Sequence, residues 1–344
     1  MDFRSDNTSG IAPPILAAIK DANHATAPSY GGDDISEALT RRFSDLFERA
    51  VAVFPVATGT AANVLALAAL TPPWGVIYCH EDAHIAVDEC GAPEFYTGGA
   101  QTALLTGPGG KVTPAALEAR IMGAGVVHHP QPAAISISQA TESGTAYRPA
   151  EIAAIAEVAR RHKLGLHVDG ARFANALVHL GCSAADLTWR AGVDVLSFGA
   201  TKNGAMAAEA IVVFDSARGG DIGFRRKRGG HLFSKMRFLS AQLAAYLDDD
   251  LWLANARHAN AMAKRLADGL AGRQGARLVH PVEANEVFVD LPDAAINALA
   301  KLGFLFHRWG GPDATCIRLV TSFATEATMV ESFISAARRV TTAQ

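Results

Sequence analysis

The chain is poor in the features that define several large protein classes. It has four cysteines in 344 residues, Cys79, Cys90, Cys182 and Cys316, scattered and with no CxxC pair. That spacing argues against a disulfide framework or a cysteine-based zinc site. All four are expected to be buried free thiols in a reducing compartment. Neither sign of charge dominates: 31 Lys+Arg stand against 34 Asp+Glu, a formal net charge of −3. A nucleic-acid binder would show a basic patch or stripe. The one dense run, Arg225-Arg226-Lys227-Arg228, reads as a solvated or interface patch. Long apolar runs are missing too. Of the two longest, 57–73 is broken by polar residues and prolines, and 205–214 is too short for a bilayer. The opening Met1-Asp2-Phe3-Arg4-Ser5-Asp6-Asn7 carries no apolar signal region. The expectation is a cytoplasmic protein without membrane or nucleic-acid partners. There is no internal repeat, no GxGxxG fingerprint and no P-loop.

What is present is a globular composition, 49% hydrophobic and 19% charged, long enough for two domains. Short β-branched or apolar runs at 50–55, 76–79, 126–129, 134–138, 164–168, 193–198 and 210–214 predict strands. Between them, 61–70 and 149–162 predict helices, the second with Ile152, Ile155, Ala156 and Ala159 on one face. Strands separated by helices of this length imply βαβ units and a mainly parallel sheet covered by helices on both faces. The pattern changes near 239–251. An Ala-rich helical stretch at 240–270 leads to strands at 278–280, 286–291 and 316–320 and helices at 293–302 and 326–341. The expected division is a large α/β domain over 1–245, whose first 30 residues reach the active site, and a smaller α+β domain over 246–344.

Three elements carry chemistry. The turn Thr58-Gly59-Thr60-Ala61-Ala62-Asn63 opens a helix, so free N–H groups and a positive helix end meet there, as a phosphate site requires. The strand at 164–168 runs into Asp169, which is either a helix cap or a carboxylate placed for a cationic ligand atom. Lys202 follows a buried strand among small residues, in Phe198-Gly199-Ala200-Thr201-Lys202-Asn203-Gly204. Crowding there favours the neutral amine that forms a Schiff base. A phosphate cradle, an acid for a pyridinium nitrogen and a lysine for an aldehyde are the three partners of pyridoxal 5'-phosphate.

With these residues in view, the sequence resembles the low-specificity L-threonine aldolases, pyridoxal-phosphate enzymes of fold type I in the aspartate-aminotransferase superfamily. Besides the three elements, the likeness rests on Arg4-Ser5-Asp6-Asn7, Tyr30-Gly31, Glu81-Asp82-Ala83-His84, Glu89-Cys90-Gly91-Ala92-Pro93-Glu94-Phe95, Gln139-Ala140-Thr141-Glu142, His167-Val168-Asp169-Gly170-Ala171-Arg172 and Met236-Arg237. It covers nearly the whole chain, and the Thr-Lys-Asn-Gly around the lysine matches the bacterial subgroup.

The resemblance implies roles. Lys202 would carry the cofactor aldehyde, Asp169 would face the ring nitrogen and His84 would stack on the ring. Gly59 and Thr60 would bind the phosphate. Ser5, Arg172 and Arg318 would hold the substrate carboxylate, with Arg172 also against the cofactor. Arg237 would reach the phosphate of a neighbouring subunit. Tyr30 would approach the substrate side chain, itself lent across the interface or not. The implied assembly is a homodimer or homotetramer with shared active sites. The implied activity is that of an aldehyde-lyase, a reversible cleavage of L-threonine, L-allo-threonine and related β-hydroxy-α-amino acids to glycine and an aldehyde. One departure stands out. Many members carry a histidine near the substrate hydroxyl, in Glu-Asn-Thr-His, where this chain has Glu142. The base that takes the hydroxyl proton is left open between His84 and a bound water. No catalytic metal is expected. A different pyridoxal-phosphate lyase or transferase of the same fold, acting for example on phenylserine, is the alternative, and a cofactor-binding protein without turnover is the reading from another class.

Overall fold

Strand and crossover helix alternate from residue 52, and parallel pairing follows, because a parallel neighbour can only be reached by a long connection. The computed structural model describes residues 1–215 and 219–342. The larger sheet contains β1 (Ala52–Val56), β2 (Gly75–His80), β3 (Gln101–Leu105), β4 (Gln131–Ser138), β5 (Gly165–Gly170), β6 (Val195–Gly199) and β7 (Glu209–Val213), in the order β1-β7-β6-β5-β4-β2-β3. Strands β3, β2, β4, β5 and β6 are parallel, and β7 is antiparallel to both β6 and β1. The sheet is covered on both faces, and its side chains alternate accordingly. Val195, Ile211 and Val213 pack with Ala61, Ala62 and Leu65 of the helix Gly59–Leu70. Leu196, Phe198, Ala210 and Val212 turn to the opposite core. Pro55 is tolerated inside β1 because that strand pairs on one side only.

A second sheet, β8 (Arg277–Leu278), β9 (Glu286–Asp290), β10 (His307–Arg308) and β11 (Cys316–Val320), is antiparallel throughout, in the order β10-β11-β9-β8. With the helices Leu251–Leu270, Asp293–Lys301 and Ala327–Thr342 it encloses its own core, in which Val287, Val289, Ile317 and Phe333 are fully buried. Phe3 belongs to this second core, and its backbone bonds to Leu305 and Val320. The N-terminal segment therefore starts in the small sheet's layer before passing the cavity. The expected mainly parallel sheet with a smaller C-terminal α+β layer is borne out.

Three expectations are corrected. Residues 126–129 form no strand. Gly123 and Gly125 take positive φ of 78° and 75°, and the Gln131 side chain bonds Gly125 N–H and the carbonyls of Gly123, Val126 and His129. This closes a loop that leaves Val127 96% exposed. The helix expected over 240–270 is two helices, Arg237–Leu247 and Leu251–Leu270. The break falls at Asp248-Asp249-Asp250, where Asp249 and Asp250 adopt φ of 51° and 55°. Three adjacent carboxylates repel one another, and aspartate tolerates the left-handed region better than most residues. Of the four cysteines only Cys79 is buried, where burial pushes its thiol up to about 12; Cys90 is exposed and the other two are half-buried.

Candidate active site

Parallel strands bring their carboxyl ends to one edge, and in open α/β sheets that edge is where ligands bind. Here the segments following β1, β2, β4, β5 and β6 line a cavity of about 560 Å³. Because β7 runs the other way, its first residue, Glu209, arrives at the same edge.

After β1, Thr58 caps the helix Gly59–Leu70, its hydroxyl accepting the Ala61 N–H at 3.1 Å. The N–H groups of Gly59 and Thr60 occupy the first helical positions, which have no acceptor inside the helix. A Cβ on Gly59 would meet nothing within 4 Å, so the space in front of this turn is open. After β5, Asp169 receives the Ala171 N–H on Oδ1 at 3.0 Å and Asn63 Nδ2 on Oδ2 at 2.8 Å.

After β6, the turn Thr201–Asn203 carries Lys202 into the cavity. This turn is clamped from below: buried Asn203 donates to Tyr246 Oη at 2.7 Å and to the Trp252 carbonyl at 2.8 Å, and Asn255 donates to the Asn203 carbonyl. Phe198, at the strand's end, packs edge-on to Phe43 at 5.1 Å and against Trp252 at 5.6 Å. Gly199 is required by close approach, since a Cβ there would fall 2.7 Å from the Ala171 carbonyl oxygen. Glu209 accepts the Ala200 N–H at 2.9 Å, and burial pushes its carboxyl up to about 7.

After β2, His84 lies on the cavity wall with its side chain 38% exposed. Its Nδ1 is 2.8 Å from Glu89 Oε1, and the same oxygen accepts Asn63 Nδ2 at 2.9 Å. The bond to Glu89 raises His84 above the ordinary imidazole range, against burial, with the Asp169 charge adding to the rise. After β4, Glu142 Oε1 accepts the His84 backbone N–H at 2.9 Å and the Ser138 hydroxyl at 2.7 Å. Burial pushes the Glu142 carboxyl up to about 7.

The two arginines expected to hold a carboxylate are both present and both already face acids. Arg172 donates Nε and Nη2 to Asp6 at 2.8 and 3.1 Å, and its Nη1 lies 3.4 Å from Glu286 Oε2. Arg318 Nη1 is 3.8 Å from Glu286 Oε1, and its guanidinium stacks on Trp309 at 4.8 Å. Burial works against the charge of Arg172, yet Asp6 and Glu286 hold its pKa above the ordinary value; burial pushes Arg318 down. Ser5 lines the same wall, its hydroxyl accepting the Asn7 N–H at 3.1 Å.

Of the sequence-predicted residues, Ser5, Gly59, Thr60, His84, Glu142, Asp169, Arg172, Lys202 and Arg318 therefore meet in one cavity. Tyr30 and Arg237 lie outside its lining. Tyr30 is 48% exposed under Lys227 Nζ, 4.6 Å from its ring, and Arg237 Nη1 donates to the His24 carbonyl at 3.2 Å. Sequence reasoning assigned no role to Asp6, Asn63, Glu89, Glu209 or Glu286. The last two did give a signal, since each opens a buried apolar strand, a poor place for an unpaired carboxylate.

Comparison with known proteins agrees with this geometry. The beta-eliminating lyase family model matches residues 2–294. The chain belongs to the beta-eliminating lyase family. Among its relatives, the low specificity L-threonine aldolase of Pseudomonas sp. NCIMB 10558 is 42% identical over 341 residues, covering 99% of this chain and 98% of that one. The low specificity L-threonine aldolase of Pseudomonas aeruginosa is 46% identical over 309 residues, covering 90% and 89%. A solved threonine aldolase from Leishmania major superimposes with a TM-score of 0.93 at 29% identity, covering 99% of each chain. The resemblance read in the sequence is thus borne out.

This member of the family depends on pyridoxal 5'-phosphate. The cavity fits that cofactor. The Gly59 and Thr60 N–H groups make no hydrogen bond among the described residues and the space beside Gly59 is open, Asp169 is a buried carboxylate held by two donors, and Lys202 Nζ makes no hydrogen bond or ion pair among the described residues. No helix among the described residues is long and apolar enough to cross a membrane.

Proposed function

We propose that this member of the beta-eliminating lyase family is an aldehyde-lyase that cleaves the Cα–Cβ bond of L-threonine, L-allo-threonine and related β-hydroxy-α-amino acids, reversibly, giving glycine and an aldehyde. It works in the cytoplasm as a homodimer or homotetramer. The observation that carries this reading is the unpaired amine of Lys202 in one cavity with Asp169 and the Gly59–Thr60 turn, in a chain 42% identical over 341 residues to a low specificity L-threonine aldolase.

Pyridoxal phosphate, when bound, supplies an electron sink for the pair released at Cα. The chain's own residues do the rest. Lys202 provides the amine for the cofactor aldehyde, Asp169 the negative charge for the ring nitrogen, and the Gly59 and Thr60 N–H groups a seat for the phosphate. Arg172 and Arg318, with Ser5, fix the substrate carboxylate, and so decide which bond at Cα is placed for cleavage. The His84 imidazole, on the wall of the same cavity, would exchange a proton with the substrate β-oxygen.

The test is a panel of L-threonine, L-allo-threonine and phenylserine assayed for glycine and aldehyde. Aldehyde from the first two is expected, and none from any of the three would end the proposal. Borohydride reduction of the holoprotein followed by peptide mass spectrometry should place the label on Lys202; a label elsewhere would show that another amine is used.

A further inference from the structure

Glu89 has so far appeared only as a hydrogen-bond partner. Its side chain is fully buried at 0% exposure, five residues beyond His84. Oε1 receives two donors, His84 Nδ1 at 2.8 Å and Asn63 Nδ2 at 2.9 Å, while Oε2 is buried without a partner. The same Asn63 nitrogen also donates to Asp169 Oδ2 at 2.8 Å. One amide therefore ties the carboxylate beside His84 to the carboxylate meant for the cofactor ring. His84 Nε2 makes no hydrogen bond among the described residues and belongs to a ring that is 38% exposed on the cavity wall.

We propose that Glu89 is a positioning residue: by holding the Nδ1–H of His84, it leaves Nε2 as the atom that accepts the β-hydroxyl proton. This inference rests on the aldolase reading above. A neutral imidazole has one N–H and one lone pair, and the partner of one nitrogen decides the role of the other. A carboxylate cannot donate, so Glu89 forces the proton onto Nδ1. Asn63 in turn fixes Glu89, because its amide spans both acids.

The proton balance is closed. The β-hydroxyl O–H bond breaks and its proton goes to Nε2, while Nδ1–H stays on Glu89. The O–H electron pair becomes the second bond of the aldehyde carbonyl. The Cα–Cβ bond breaks with its pair left on the two-carbon fragment, which takes up one proton to become glycine, while Nε2 gives up the one it received, directly or through solvent, and is neutral again. Nothing is oxidised or reduced. In the synthetic direction the Nε2 proton is returned to the alkoxide.

Glu89 also acts through charge. The groups that bear on His84 are Glu89 and Asp169, which favour its cation, and Lys202, which opposes it; Glu142 binds its backbone N–H, and Asp82 and Asp88 line the same wall. Replacing Glu89 by Gln keeps an acceptor for Nδ1–H and removes the charge. The acid limb of the kcat–pH profile for L-threonine should then move to lower pH, by roughly one unit. Replacing Glu89 by Ala removes the acceptor, and threonine cleavage should fall at least about tenfold relative to α-proton exchange of glycine in D₂O, a reaction without a β-hydroxyl.

Nitrogen-15 NMR of the His84 ring in the wild-type apoprotein reads the tautomer directly. The Nδ1–H form is expected, with a titration that moves down in E89Q. An Nε2–H tautomer in the wild type overturns the proposal without recourse to a variant. So does an E89Q protein with an unmoved His84 titration and an unmoved acid limb. If the wild type releases no aldehyde from any substrate, the aldolase reading fails, and the ring titration still shows whether Glu89 holds His84.

Discussion

Arg172 donates through two nitrogens to Asp6, a residue 166 positions earlier in the chain, at 2.8 and 3.1 Å, with the two side chains only 11% and 1% exposed. The bond fastens the N-terminal segment across the cavity and holds the guanidinium before any substrate arrives. A side chain ordered in advance loses less entropy on binding.

Breaking that pair should be costly to the fold. Asp6 lies below the ordinary carboxylate range because Arg172 and Lys202 outweigh its burial. A depressed folded-state pKa stabilises at pH values above the unfolded value, and that contribution disappears as pH falls through the folded one. Asp6→Asn should therefore lose about 3 kcal/mol at pH 7 and progressively less as the medium is acidified below pH 4. Urea unfolding of both proteins at several pH values measures it. An equal loss at all pH values would mean that shape, not charge, matters at this position.

Glu286 makes the opposite prediction for binding. Its two oxygens have no hydrogen-bond partner, yet they lie between Arg172 and Arg318, 3.4 and 3.8 Å away. The two arginines thus face two acids, Asp6 and Glu286, whose charges offset theirs toward a carboxylate bound as proposed. Glu286→Gln removes one repelling charge, so KM for L-threonine should fall roughly fivefold with a smaller change in kcat. A raised KM would show instead that Glu286 holds the arginines in place.

The strand ends were legible because Gly, Asp and Lys interrupt apolar runs at Thr58–Asn63, Asp169 and Lys202, where burial leaves few alternatives. Their convergence follows from parallel pairing alone. What the sequence concealed are partners distant in the chain, such as Asp6 for Arg172 or Asn63 for Asp169. Each of those residues has an ordinary local explanation as a cap or a helix polar residue. The false strand at 126–129 failed for a related reason: Val126 and Val127 have strand propensity, but one glutamine side chain, bonded to four backbone groups, closes the loop.

Glu209 provides a stability test with the reverse sign. Its folded value of about 7 lies above the ordinary value of 4.5. The unfolded chain gives up this proton first as pH rises, so the group's contribution to stability falls between about pH 4.5 and 7. In the apoprotein, Glu209→Gln should match the wild type at pH 4 and exceed it by about 2–3 kcal/mol at pH 8. The amide oxygen can still accept the Ala200 N–H, so the lysine turn keeps its anchor. Thermal unfolding at the two pH values decides, and a variant less stable at pH 8 would mean that the carboxylate is stabilised by charge.

Tyr30 and Arg237 stand outside the cavity of their own chain, and the proposed assembly gives them a role in a neighbour's. Light scattering should then report a mass of at least two chains. The sharper test mixes two inactive proteins. Lys202→Ala lacks the amine, and Arg237→Ala lacks the arginine expected to reach the neighbouring phosphate. In a mixed dimer, one site would take Lys202 from one chain and Arg237 from the other and so be complete. Half of randomly reassorted dimers are mixed and each has one intact site of two, so activity should recover to about a quarter of the wild type. No recovery after verified subunit exchange would place Arg237 in the service of its own chain or of none.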